Sequence, residues 1–229
     1  MNSRSPFAQP FSDPAMVAGY AEVTPRRVPG FADLHRMTML LLAERAADAA
    51  EILVVGAGGG LELKAFAEAQ PRWSFVGVDP SAEMLKLARQ ILGPLQSRAV
   101  LQEGYVDTAP AGPFDGATCL LTLHFLSRDE RLKTLREIRR RLKPGAPLIV
   151  AHHSYPTGSD AVRWLARSVA FASASDAHLA QASASAAAMA QHLPILSADE
   201  DELLLRVAGY SDICLFYAGF SLRGWVAQA

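Results

Sequence analysis

The glycine-rich stretch Val55–Gly60, VGAGGG, and the aspartate Asp79 about twenty residues downstream carry the most specific chemistry in this chain. Glycines that close a short apolar run and open a helix free the backbone in two ways. Gly56 can turn sharply, and Gly58 and Gly60 offer main chain that a Cβ would shield from a ligand. An aspartate ending the next apolar run can accept hydrogen bonds from both hydroxyls of a ribose. The pair therefore predicts a nucleoside-bearing ligand. A second set is the histidines that follow later apolar runs, His124, His152 and His153. Imidazole titrates near neutral pH and can take a proton from an acceptor. Two histidines in sequence on one strand point to opposite faces, so only one of the second pair reaches a shared crevice. His124 and His153 are the candidate catalytic residues.

The elements that must position these groups alternate. Glu51–Val55, Trp73–Asp79, Ala99–Gln102, Gly116–Leu123 and Pro147–His152 read as strands. Between them Leu61–Ala69, Ser81–Leu92 and Asp129–Leu142 read as helices, with Ser81 as an N-cap and Met84, Leu85 and Ala88 facing inward. Arg139–Arg141 fall in the last turn of the third of these, where cations are favoured and solvated. Successive strand–helix crossovers imply a parallel sheet covered on both faces, with right-handed connections. Ahead of it, residues 1–30 read as an irregular, proline-broken arm with one helical turn near Pro14–Tyr20, and Phe31–Ala49 as a helix. The Ala- and Ser-rich segment 156–197 reads as a helical insert of two helices over one end of the sheet. Ala198–Val207 is a further helix capped by Gly209, and Ile213–Ala218 with Phe220–Ala227 a terminal antiparallel hairpin. The organisation expected is an N-terminal arm or lid, 1–30, on a single domain, 31–229.

The spacing Gly56-x-Gly58-x-Gly60 resembles motif I of the class I S-adenosylmethionine-dependent methyltransferases. The dinucleotide fingerprint would need Gly or Ala at position 61, where Leu61 stands. The resemblance extends to Asp79, to Phe114–Phe125 (FDGATCLLTLHF), to Leu142–Val150 (LKPGAPLIV) and to the final hairpin. It implies a doubly wound, mostly parallel seven-stranded α/β sheet with an antiparallel last strand, the Rossmann-like methyltransferase fold. It implies S-adenosylmethionine as cofactor. The cofactor-binding residues it implies are Arg27, Phe31, Gly56, Ala57, Gly58, Gly60, Asp79, Pro80, Met84, Tyr105, Val106, Leu120 and Leu121. Two positions depart from the family pattern. Val54 stands where an acidic residue usually helps order the loop and the ligand's amino group. Tyr105 stands where an aspartate usually meets adenine, which leaves that role to Tyr105 with backbone or to Asp107 in a shifted register.

The segment Tyr20–Phe31 and the hairpin Leu215–Val226 are similar to the arm and hairpin of the carboxy-S-adenosylmethionine synthase family, enzymes of tRNA wobble-uridine modification. By that resemblance Tyr20, Arg27 and Phe31 are lid residues. That family sets an arginine in its helical insert against the ligand's extra carboxylate, but Ala182–Leu193 here has neither Lys nor Arg. A carboxylate buried there without a counter-charge would cost several kcal/mol, which favours ordinary S-adenosylmethionine.

Charge is balanced, 22 Lys plus Arg against 23 Asp plus Glu, which gives no support to a general nucleic-acid or membrane-surface binder. No apolar run is long enough to span a membrane, and the prolines near the N-terminus argue against a secretory leader, so a cytoplasmic protein is expected. Cys119 and Cys214, both inside apolar runs, read as buried free thiols, and no Cys/His cluster has metal-ligand spacing. No Asn-Pro-Pro-Tyr-type motif follows the fourth strand, where Leu121-Thr122-Leu123-His124 stands, so a small-molecule acceptor is expected over a nucleic-acid base. Trp164, Phe171 and Met189 are either its pocket wall or plain insert core. A homodimer through the insert or hairpin is also open. Three functions remain: a small-molecule methyltransferase, a non-catalytic S-adenosylmethionine-binding protein, and a nicotinamide-dependent oxidoreductase, which Leu61 and the hairpin disfavour.

Overall fold

The computed structural model describes residues 11, 13–156, 160–173 and 179–229. Seven strands form one sheet: β1 (Glu51–Val55), β2 (Ser74–Asp79), β3 (Ala99–Glu103), β4 (Gly116–Leu120), β5 (Pro147–His153), β6 (Ser211–Gly219) and β7 (Leu222–Gln228). Their order is β3-β2-β1-β4-β5-β7-β6, parallel through β5, with β7 antiparallel to β5 and to β6. The order reverses between β1 and β4, and in an open α/β sheet a ligand crevice forms beyond the strand ends at such a point.

Side-chain alternation sends the two sides of each strand into different layers. Leu53, Val55, Val76, Val78, Ala117, Cys119, Val150 and Trp225 face α6 (Arg128–Arg140) and α9 (Ala198–Val207), which contribute Leu135, Ile138, Leu204 and Leu205. Ile52, Val54, Phe75, Ile149 and Ala151 face α3 (Phe31–Ala43), α4 (Leu61–Ala69) and α5 (Ala82–Leu92), with Leu34, Leu42, Leu63, Phe66, Leu85 and Leu92. Helix starts follow local chemistry. Ser81 Oγ accepts from Met84 N at 3.1 Å to cap α5, and Ser127–Glu130 and Ser197–Glu200 form reciprocal capping boxes at α6 and α9.

Several expectations are corrected. The arm is more helical than its prolines suggest: α1 spans Pro14–Ala18 and α2 Tyr20–Arg27, with Pro25 inside α2; residues 1–10 and 12 of the arm lie outside the described residues. α3 stops at Ala43, six residues early, and β4 at Leu120, because Leu121 turns into the left-handed region at φ 55°. Arg141 is buried, not solvated. It binds Glu137 and the carbonyls of Asp107 (2.9 Å) and Ala109 (3.3 Å), so it clips the segment after β3 onto α6. Cys119 is buried but Cys214 is exposed on β6, the edge strand. The insert does contain two helices, α7 (Ala161–Ala172) and α8 (Leu179–His192), packed through Leu165, Ala166, Ala182 and Ala186; residues 157–159 and 174–178 lie outside the described residues. Trp164 and Met189 join that core, while Phe171 is exposed and meets the Phe220 ring. The arm is tied to the hairpin by Tyr217, whose hydroxyl donates to Pro29 O at 2.7 Å.

Candidate active site

The loop after β1 is fastened to the neighbouring strand before any ligand is considered. Gly56 N and Ala57 N both donate to Val78 O, at 2.9 and 3.0 Å. Gly56, Gly58 and Gly60 all have positive φ, 75°, 52° and 81°, a region that glycine enters without strain. What a Cβ would meet differs at each, and this refines the reason for the motif. At Gly56 it would strike Thr122 Oγ1 at 2.1 Å, and at Gly60 the Ala88 backbone at 2.8 Å, so these two glycines serve loop and helix packing. At Gly58 the nearest atoms are the Tyr20 hydroxyl and Met84 Cε, 3.1 and 3.4 Å away, side chains that stand over the loop. Gly58 is therefore the glycine covered by side-chain ends from α2 and α5 rather than by backbone.

Asp79 ends β2 beside this loop, with both carboxylate oxygens engaged. Oδ2 accepts from Gly58 N and Oδ1 from Ser81 N, each at 2.9 Å. Burial pushes its pKa up and the two amides pull it back. Each oxygen keeps a further lone pair, so the carboxylate can still accept from a diol. Gly104 N donates to Asp79 O at 3.0 Å, which brings the turn after β3 alongside. In that turn Tyr105 is exposed, Val106 is buried and Asp107 is exposed. Met84 and Ala57 are buried at the loop, and Pro80 is exposed. Leu120 is buried and Leu121 holds its strained φ across the switch point from Gly56, a signal the sequence did not carry.

Of the three arm residues, Tyr20 reaches the loop. Its ring lies where a Cβ on Gly59 would meet Cδ1 at 2.7 Å. Burial, then the charges of Asp79 and Glu62, push its phenol up to about 12. Arg27 is exposed at the end of α2, and Phe31 packs on His35, ring centroids 4.3 Å apart.

His124 and His153 do come together. Their ring centroids are 4.8 Å apart, and His153 N donates to His124 Nδ1 at 3.5 Å. That bond uses the Nδ1 lone pair and leaves the proton on Nε2. Burial, and then the charges of His153, His152 and Arg131, hold His124 well below the ordinary imidazole range. Burial takes His153 down to about 4. His153 Nδ1 lies 2.8 Å from Ser221 Oγ, which lies 2.6 Å from Ser168 Oγ, so a polar chain joins β5, the hairpin turn and α7. His152 points to the opposite face, as its neighbour's position requires, with Nε2 3.1 Å from Asp201.

One group was missed by the sequence reading. Glu62, in the first turn of α4, is 7% exposed and its Oε1 has no hydrogen-bond partner. Burial pushes it up to about 7, against the Thr118 hydroxyl that draws it down.

Residues 53–148 match a family described as "Methyltransferase domain". The chain is 32% identical over 111 residues to a ubiquinone/menaquinone biosynthesis C-methyltransferase UbiE of Syntrophotalea carbinolica, covering 48% of this chain and 47% of that protein. It is 35% identical over 103 residues to a trans-aconitate 2-methyltransferase of Azoarcus sp., covering 45% of this chain and 39% of that protein. It therefore spans about half or less of the curated relatives' length. The solved structure of PigF with SAH superposes on all of this chain and 63% of its own, with a TM-score of 0.69 at 20% identity. Residues 53–148 thus match a methyltransferase domain, and the sheet has the order of the Rossmann-like methyltransferase fold.

Proposed function

We propose that this chain is an S-adenosylmethionine-dependent methyltransferase that transfers a methyl group in line to a small-molecule acceptor. The observation that carries this reading is Asp79, fixed by Gly58 N and Ser81 N at the mouth of the crevice beside the switch point. A cradle that sets a carboxylate beside a glycine covered only by the movable ends of Tyr20 and Met84 fits the ribose and the chain leading to sulfur. The small-molecule methyltransferases among the relatives agree with the acceptor class.

When bound, S-adenosylmethionine supplies a methyl group on cationic sulfur, which departs as a neutral thioether. The protein's part is to bind and align. Asp79 accepts from the ribose hydroxyls, and Gly58 with Ala57 lets the ligand lie close to main chain. Val106 and Tyr105 flank the adenine side, Leu120 and Leu121 the amino-acid side. The arm, residues 1–30, acts as a lid through Tyr20. Fixing two reactants in line can remove much of the barrier without any base. Where the acceptor must lose a proton, His153 takes it, with Ser221 orienting the ring. His124 presents Nε2–H and orients or polarises the acceptor. The finer likeness to carboxy-S-adenosylmethionine synthases is not adopted, because α8 carries no Lys or Arg to meet a second carboxylate.

Isothermal titration with S-adenosylmethionine and with S-adenosylhomocysteine, on wild type and Asp79→Asn, tests the reading. Expected is micromolar binding that weakens on the order of ten-fold or more in the variant, the loss of two charge-assisted hydrogen bonds. No heat with wild type overturns it.

A further inference from the structure

Two carboxyl groups stand near the glycine loop, and their situations differ. Asp79 is satisfied by two backbone amides. Glu62 is not. Its Oε1 lies below solvent without a hydrogen-bond partner, and among the described residues no Lys, Arg or His forms an ion pair with it. Among the described residues the groups that face it, Thr118 and Tyr20, are uncharged. Thr118 stands beside it on β4, its own hydroxyl also unpartnered. Cys119, next on that strand and turned to the opposite face, has a thiol pushed up by burial and then by Glu62. The Tyr20 phenol from α2 feels both Glu62 and Asp79. A buried carboxylate with no cation and an open lone pair is costly, and folded chains keep such groups where something else completes them.

Its place in the fold says what that something is. Val54 of β1 pairs in register with Thr118 of β4, so both side chains lie on the face that α4 covers. Val54 brings no charge to that face, and Glu62 delivers one to it from the helix above, within the turn that follows Gly60. The ligand class proposed above ends in an amino acid, whose ammonium needs an anion in a site closed to water.

We propose that Glu62 is the anion that receives the α-ammonium group of the bound cofactor, completing a carboxylate that the described residues leave without a cation. Resting on the cofactor reading, the assignment makes Glu62 a binding and positioning residue, which fixes the amino-acid end and through it the sulfur.

A two-by-two titration tests it: wild type and Glu62→Gln, each with S-adenosylhomocysteine and with its analogue lacking only the amino group. Wild type should bind the analogue on the order of ten-fold more weakly, while Glu62→Gln should bind both alike, the pattern of a direct charge pair. Equal penalties for the analogue in both proteins, or S-adenosylhomocysteine binding unchanged by Glu62→Gln, overturns the assignment and leaves the cofactor reading standing. No binding by wild type overturns both. Should Glu62→Gln fail to fold, wild type alone decides, since an analogue that binds as tightly as S-adenosylhomocysteine leaves Glu62 no ammonium to receive.

Discussion

Asp201 and Glu62 are both carboxylates taken out of water, 2% and 7% exposed, over opposite faces of the same sheet. Asp201 comes with its partners: Arg131 from α6 binds Oδ1, and His152 Nε2 lies 3.1 Å from Oδ2. Burial alone would raise its pKa, yet His152, Arg131 and Ser154 outweigh it and hold the carboxyl below its ordinary range. Among the described residues Glu62 has uncharged neighbours, the Thr118 hydroxyl and the Tyr20 phenol, and burial wins, up to about 7. The same group in the same protein is thus anchored on one face and left open on the other. The closed network joins α6, α9 and β5. The open one lies at the loop. A charge compensated by the chain serves the fold, and a charge left uncompensated at a crevice waits for a ligand.

The largest expected effect comes from breaking the closed side. Asp201→Asn would leave the Arg131 guanidinium, 1% exposed, without its counter-charge. Removing one partner of a buried pair costs roughly 3–5 kcal/mol. For a chain of this size that lowers Tm by on the order of 10 °C. A thermal melt that moves by less than a degree or two would show that the network is not what holds α9 on the sheet.

The open side should respond with the opposite sign, and only at some pH values. A raised carboxyl pKa means that the folded state binds more protons than the unfolded one between the ordinary 4.5 and about 7. Glu62 therefore loses the fold stability as pH rises through that window, reaching about 3 kcal/mol above it. His35 and His153, both lowered by burial from 6.5 to about 4, act the other way: their contribution is whole above 6.5 and is lost as pH falls toward 4. Wild-type stability should thus climb from pH 4.5 to about 6.5 and then level or dip. Glu62→Gln should climb more steeply and keep its gain, ending roughly 3 kcal/mol above wild type at pH 8 and near it at pH 4.5. Urea midpoints across that range decide; a variant no more stable than wild type at pH 8 would mean Glu62 is paid no desolvation cost and is compensated after all.

The same contrast shows what the sequence could carry. The strands through β5, the glycine loop and the start of α5 were legible because each rests on local pattern: apolar runs of strand length, glycines at a turn, an N-capping serine. The ends of β4 and α3 were not, since Leu121 is apolar and nothing local marks its left-handed φ, and since residues 44–49 look helical until tertiary contacts are known. Arg141 was misread because a basic run at a helix end looks solvated, and only the fold brings the Asp107 and Ala109 carbonyls to it. Glu62 was passed over for a related reason. A glutamate in the first turn of a helix is the ordinary choice beside the macrodipole, and its burial comes from Thr118 and Tyr20, 56 residues later and 42 earlier in the chain.

The smallest effect separates two threonines that look alike. Thr38 on α3 and Thr118 on β4 are both fully buried with hydroxyls that make no well-aligned hydrogen bond. Replacing an unsatisfied buried hydroxyl by a methyl of the same shape removes a desolvation cost, so Thr38→Val should stabilise by about 1 kcal/mol at any pH. Thr118 stands beside Glu62, and its hydroxyl is what draws that carboxyl down. Thr118→Val should gain a similar amount at pH 5, where Glu62 is protonated, and give it back at pH 8, where the carboxylate has lost the hydroxyl that draws it down. Urea titrations of both variants at the two pH values read this directly. Parallel behaviour of the two would place Glu62 out of reach of Thr118 and remove the reason for setting it apart from Asp201.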